Sequence, residues 1–154
     1  MDARILSFEI LLEFEKSKRW LRNVRNDYFG IKRPPRLACE RTTVLTNEVV
    51  KWKRLLDTII NANLHKPSVK LKFPVRNLLR LGVYELLIDE SSPDYAVVDS
   101  YVQLSKRNIG PHITGLINAI LRKISGSGKY VFNGKFPENI AVGLSYPDWL
   151  VEKW

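Results

Sequence analysis

Apolar residues along this chain recur mostly at three- and four-residue steps, and that spacing predicts helices almost throughout. In ARILSFEILLEFEK, residues 3–16, Ile5, Phe8 and Leu12 share one helical face, while Glu9, Glu13 and Glu15 fall largely on the other. Asp2 precedes this segment as an N-cap whose charge suits the positive end of a helix. A second helix is expected from about 18 to 28, stopping near Gly30, because Pro34-Pro35 forces an extended or turn segment. The longest pattern spans 37–64, with Leu45, Val49, Trp52, Leu56, Ile59 and Ile60 in phase; it predicts one amphipathic helix, with any break near Thr42-Thr43. His65-Lys66-Pro67 ends it, and a basic loop follows.

In VRNLLRLGVYELLI, residues 75–88, leucine and valine cover most of the helical circumference, which predicts a central, buried helix. Gly82 in its middle costs about 1 kcal/mol against alanine, so a close helix–helix crossing is expected there. A turn at 89–94 leads to a helix over 95–107, with Val98, Tyr101, Val102 and Leu104 turned inward. Asn108-Ile109-Gly110-Pro111 breaks the chain before a last helix over 112–124. No strand alternation and no repeat is present. The expected fold is all-α, an antiparallel bundle of six to seven helices over residues 1–126. Residues 127–154 form a linker and tail, ending SYPDWLVEKW; a domain rarely leaves so much aromatic surface bare, so this tail is expected to pack back or onto a partner.

A length of 154 residues suits one domain with a real core. No stretch approaches the roughly 20 apolar residues of a membrane span, and the first residues lack a signal-peptide layout. A cytoplasmic protein without a membrane partner is expected. The single cysteine, Cys39, excludes an internal disulfide, and Cys39, His65 and His112 show no metal-ligand spacing. Charge changes the picture more. Residues 1–75 hold 16 Lys+Arg against 8 Asp+Glu, and residues 76–154 hold 9 against 8. A positive field concentrated in one half suits a polyanionic partner.

Catalytic signatures are missing. There is no glycine-rich phosphate loop, no HExxH and no GxSxG, and no histidine lies near Cys39 in sequence. The chain reads as a binder, with no catalytic residue and no cofactor or metal of its own.

Three stretches carry a resemblance: VLTNEVVKWKRLLD (44–57), PVRNLLRLGVYELLIDESSPDYAVVDSYVQLSKR (74–107) and GLINAILRKI (115–124). Together they resemble the NusB-like domain. That domain is shared by NusB antitermination factors and by the N-terminal part of the RsmB (Sun/Fmu) 16S ribosomal RNA cytosine-C5 methyltransferases. SYPDWLVEKW is similar to the segment leading into the methyltransferase portion of the second group. Tyr146 departs from its usual histidine, and Glu48 from a frequent glycine. The resemblance implies a domain that holds ribosomal RNA for a methyltransferase domain attached in cis. S-adenosylmethionine would belong only to that further domain, which this chain lacks. Two alternatives stay open: an antitermination factor binding leader RNA and a ribosomal protein, or a helical protein-interaction module without RNA.

The candidate RNA-binding residues are Arg19, Arg22, Arg25, Lys32, Arg33 and Arg36, interleaved with Trp20, Tyr28 and Phe29. Arginine forks suit phosphate oxygens, and aromatic faces stack on unpaired bases. Lys51, Lys53 and Arg54 around Trp52 join them, with Trp52 itself expected in the core. Lys106 and Arg107 complete the set, although the helix dipole alone favours cations at a C-terminus. Arg80, deep in an apolar run, is expected to pair with Asp57 or Glu85.

Overall fold

The computed structural model describes residues 2–64, 66 and 70–126. Seven α-helices make up the described residues: α1 Ala3–Lys16, α2 Leu21–Lys32, α3 Arg36–Lys51, α4 Lys53–Ala62, α5 Phe73–Tyr84, α6 Asp94–Asn108 and α7 Thr114–Gly126. The all-α expectation holds. The tail at 127–154 lies outside the described residues.

Helix α5 is the centre. Every residue from Asn77 to Tyr84 is buried, as the all-round apolar pattern requires. It packs on α1, α3 and α4 on one side and on α6 and α7 on the other. Gly82 sits at the tightest crossing: a Cβ there would lie 2.9 Å from one Leu121 methyl and 3.1 Å from the other. The glycine therefore lets α7 approach the α5 backbone, and its conformational cost is offset by packing. Asn77, also buried, donates its side-chain amide to the Phe8 carbonyl at 3.1 Å and ties α5 to α1.

Boundaries differ from the sequence pattern where side chains decide them. Asp2 caps α1 as expected, accepting from the Arg4 amide at 2.8 Å. Helix α2 runs through Gly30 to Lys32 and ends at Arg33, whose left-handed φ of 47° turns the chain into Pro34-Pro35. The long 37–64 pattern breaks at Trp52, not at Thr42-Thr43. The threonines stay helical: the Thr43 and Thr46 hydroxyls donate back to the Cys39 and Thr42 carbonyls, each at 2.8 Å, while the buried Thr42 hydroxyl has no partner among the described residues. Trp52 bends instead, with its indole N–H held by Glu48 at 2.9 Å.

Helix α5 passes without interruption into a five-residue π-helical turn, Glu85–Asp89, closed by the Glu90 amide bonding to the Glu85 carbonyl. The widened turn brings two carboxylates to the junction of α1, α3 and α6. Glu85, 1% exposed, accepts from Arg4 at 2.8 and 2.9 Å, from Arg41 at 3.2 Å, and from the buried Tyr101 hydroxyl. Asp89 takes both Arg41 nitrogens at 3.1 and 2.6 Å. Arg80 pairs with Asp57, at 2.7 and 2.9 Å, and so selects one of its two expected partners. Glu85 is committed elsewhere.

Candidate nucleic-acid interface

Helix α2 carries the densest cations and, among the described residues, packs mainly on α1 and α3. It is polar overall, and among its twelve residues only Val24 and Arg25 are buried. Most of the helix therefore faces water, and the structure sorts its basic residues into three groups.

Arg22 and Asn26, one turn apart, line the outer face of α2, and Arg33 caps its end; all three are exposed. Arg19 and Arg36 are exposed and paired, Arg19 with Asp27 at 2.6 Å and Arg36 with Glu40 at 3.0 Å. Exposed pairs of this kind contribute about 0.2–1 kcal/mol, so both guanidiniums remain available to a stronger anion.

Arg25 is a correction. It is 8% exposed and donates to Thr46 Oγ1 at 3.2 Å and Asn47 Oδ1 at 2.8 Å, which pins α2 to α3. Burial and neighbouring Arg22 push its pKa down. A group spent on holding two helices together is not aimed at phosphate. Lys32 also departs from the expected cluster: it borders a shallow cavity with Asp2 and Glu9 on the α1 side. The same acidic face meets Tyr28, whose pKa rises through burial and the charges of Glu9 and Glu13.

Trp20, the aromatic nearest these cations, is 81% exposed, whereas Tyr28 and Phe29 are half-buried. Lys51 is exposed, with its ammonium 5.3 Å from the centre of the Trp52 ring. Trp52 is half-buried against the core, as expected. Lys53 is exposed and lines a trough with Trp20, and Arg54 is half-buried. Lys106 and Arg107 are exposed in the last turn of α6, on the α6–α7 side of α5. They do not join the α2–α3 group.

Sequence reasoning missed Arg4 and Arg41, which serve the buried carboxylates rather than a ligand; the lone Glu85 inside an apolar run was the available signal. No strand occurs among the described residues. No described helix is long and apolar enough to cross a membrane.

Comparison with known proteins adds the following. The model of the NusB family matches residues 1–126. Ribosomal RNA small subunit methyltransferase B of Thermus thermophilus is 34% identical over 153 residues, covering 98% of this chain and 34% of that protein. Its probable counterpart in Bacillus subtilis is 32% identical over 158 residues, covering 99% of this chain and 34% of that protein. The chain thus spans about a third of the length of these methyltransferases. Transcription antitermination protein NusB of Streptomyces avermitilis is 30% identical over 132 residues, covering 79% of this chain and 88% of that protein. The solved structure of T. maritima NusB superposes with a TM-score of 0.73 at 24% identity, covering 83% of this chain and 91% of that one.

Proposed function

Because this chain belongs to the NusB family, we propose that it is an RNA-binding domain that holds ribosomal RNA for a methyltransferase domain attached in cis. One observation carries the choice of branch. Similarity to the methyltransferases runs over 98–99% of the chain, through residues 127–154, whereas the Streptomyces antitermination protein matches 79%. Catalysis and S-adenosylmethionine belong, on this reading, to the further domain.

The physical basis is the cationic surface of α2 and α3. Arg22 and Arg33 supply guanidiniums without an ion-pair partner among the described residues, Arg19 and Arg36 supply weakly paired ones, and Lys51 adds an ammonium. With four of these five cations on phosphates of a single strand, the slope of log K against log salt is about −3. Affinity of the full chain for a small-subunit ribosomal RNA fragment should then fall roughly fifty- to hundredfold between about 50 and 200 mM salt. Weak binding with a flat salt response would overturn the proposal.

The antitermination reading keeps one observation in its favour: NusB of Streptomyces avermitilis is 30% identical to this chain over 132 residues. A leader RNA bound at least tenfold more tightly than the ribosomal fragment, together with co-purification with a transcription complex, would favour that second branch.

A further inference from the structure

An apolar trough runs across the molecule at the C-terminal ends of α1 and α3. It consists of two adjoining cavities that share Phe14, Val50 and Lys53 in their walls. At one end it forms a pocket of about 240 Å³ walled by Phe73 of α5. At the other it widens to about 620 Å³ beside Trp20. Its rim is cationic: Lys18, Arg19 and Lys53 border it, against one acid, Glu15. Trp20 and Val50 are 81% and 37% exposed, so the trough leaves a large ring and a β-branched side chain in water. An apolar floor gains from an apolar occupant at about 25 cal/mol per Å² covered. The rim selects for acids on that occupant.

The chain itself supplies a segment of that chemistry. In SYPDWLVEKW, residues 145–154, the apolar Trp149, Leu150, Val151 and Trp154 stand beside two acids, Asp148 and Glu152, and one base, Lys153. It can also reach. Ser125, near the end of α7, donates to Asp94 at 2.7 Å, and Arg4, at the start of α1, reaches Ser92 at 3.5 Å. The end of α7 therefore lies near the start of α1. The trough opens one helix away, and the 14 residues of α1 span about 21 Å. The 18 residues 127–144 extend to about 60 Å, well beyond what is needed.

We infer that residues 145–154 dock in the trough formed by Phe14, Trp20, Val50 and Lys53, with Trp149 and Leu150 on its floor and Asp148 and Glu152 toward its lysines. This goes beyond the proposed RNA role, and it assigns Lys18 and Lys53 to the chain's own tail rather than to RNA.

Disulfide trapping in the full chain tests it. In a Cys39→Ser background, Val50→Cys with Leu150→Cys should oxidise to an internally cross-linked monomer. It should do so at least tenfold faster than the control, Leu37→Cys with Leu150→Cys, whose Leu37 lies exposed at the other end of α3. Adding Lys18→Glu and Lys53→Glu should slow the trapping at least threefold. Equal rates for the two cysteine pairs, or cross-links mainly between molecules, would overturn the inference. A second measurement avoids the cysteines altogether. Amide exchange at 148–154 in the unmodified chain should be slowed at least tenfold relative to a free peptide of the same sequence, and Val50→Glu should abolish the difference. Exchange as fast as in the peptide would overturn the inference equally. Because no RNA is present in either assay, failure here leaves the salt-dependent RNA test untouched.

Discussion

Glu85→Ala should be among the most damaging single changes in this domain. The carboxylate is 1% exposed and accepts from Arg4, Arg41 and Tyr101. Its loss leaves the Tyr101 hydroxyl, on a fully buried side chain, without an acceptor, at a cost of about 1–3 kcal/mol. Arg4 loses both of its carboxylate bonds. Removing one partner of a buried pair costs about 3–5 kcal/mol. Arg4 is 22% exposed, however, so part of that cost is relieved by water. Arg41 keeps Asp89 and contributes little. The expected total is about 3–4 kcal/mol, a large share of the roughly 5–15 kcal/mol typical of a whole domain. Tyr101→Phe removes the hydroxyl while leaving Glu85 with two arginines, and should cost only about 1 kcal/mol. Urea unfolding followed by helical circular dichroism measures both. A loss below about 1 kcal/mol for Glu85→Ala, or equal losses for the two variants, would refute the hub reasoning.

Four further outcomes are expected. Burial and Glu85 raise the Tyr101 pKa well above 10.0, so its contribution is complete below that pH. It declines as pH rises further, when the unfolded chain loses the proton first; the unfolding midpoint of the natural chain should fall more steeply above about pH 10 than that of Tyr101→Phe. Arg41 lowers the Asp89 pKa below 3.8, so stability should drop as pH falls through the acid range, and Asp89→Asn should flatten that drop in an acid-unfolding series. At the tight crossing, Gly82→Ala and Leu121→Ala should be non-additive: the leucine truncation should cost at least about 1 kcal/mol less in the alanine background, and strict additivity in denaturant midpoints would contradict the contact. Arg25→Ala should lose about 1–2 kcal/mol of stability without changing the salt slope of RNA binding, whereas Arg22→Ala should lower that slope by about 0.7–0.9 with stability unchanged.

Helix existence was legible because burial follows periodicity: α5 is apolar all round and proved central, and Gly82 announced the crossing that Leu121 fills. Helix ends were less legible. Threonines at 42 and 43 look like breakers in sequence, yet the Thr43 and Thr46 hydroxyls satisfy themselves on the preceding turn and α3 runs on unbroken. Trp52 looks like one more core residue, yet its indole bond to Glu48 accompanies the bend. The interface was legible only as a charge density. Arg22 and Arg25 stand three residues apart with nothing local to distinguish them. One faces water, while the other meets Thr46 and Asn47, some twenty residues further along the chain. Glu85 could be recognised as a carboxylate needing a cation. Its partner Arg4 lies 81 residues away, and no local pattern encodes that pairing.

The widened turn at Glu85–Asp89 has a consequence for length variation. Such a turn accommodates one residue more than α-helical winding allows over the same rise. Excising one of Leu86, Leu87 or Ile88 would let the segment rewind as an ordinary α-turn of about the same rise, leaving the chain beyond it close to its present direction. The same excision inside α5 would turn every following side chain by about 100°. A one-residue deletion should therefore be tolerated better in this turn than in the helix ahead of it, making the short stretch a slack link whose two carboxylates matter more than its length.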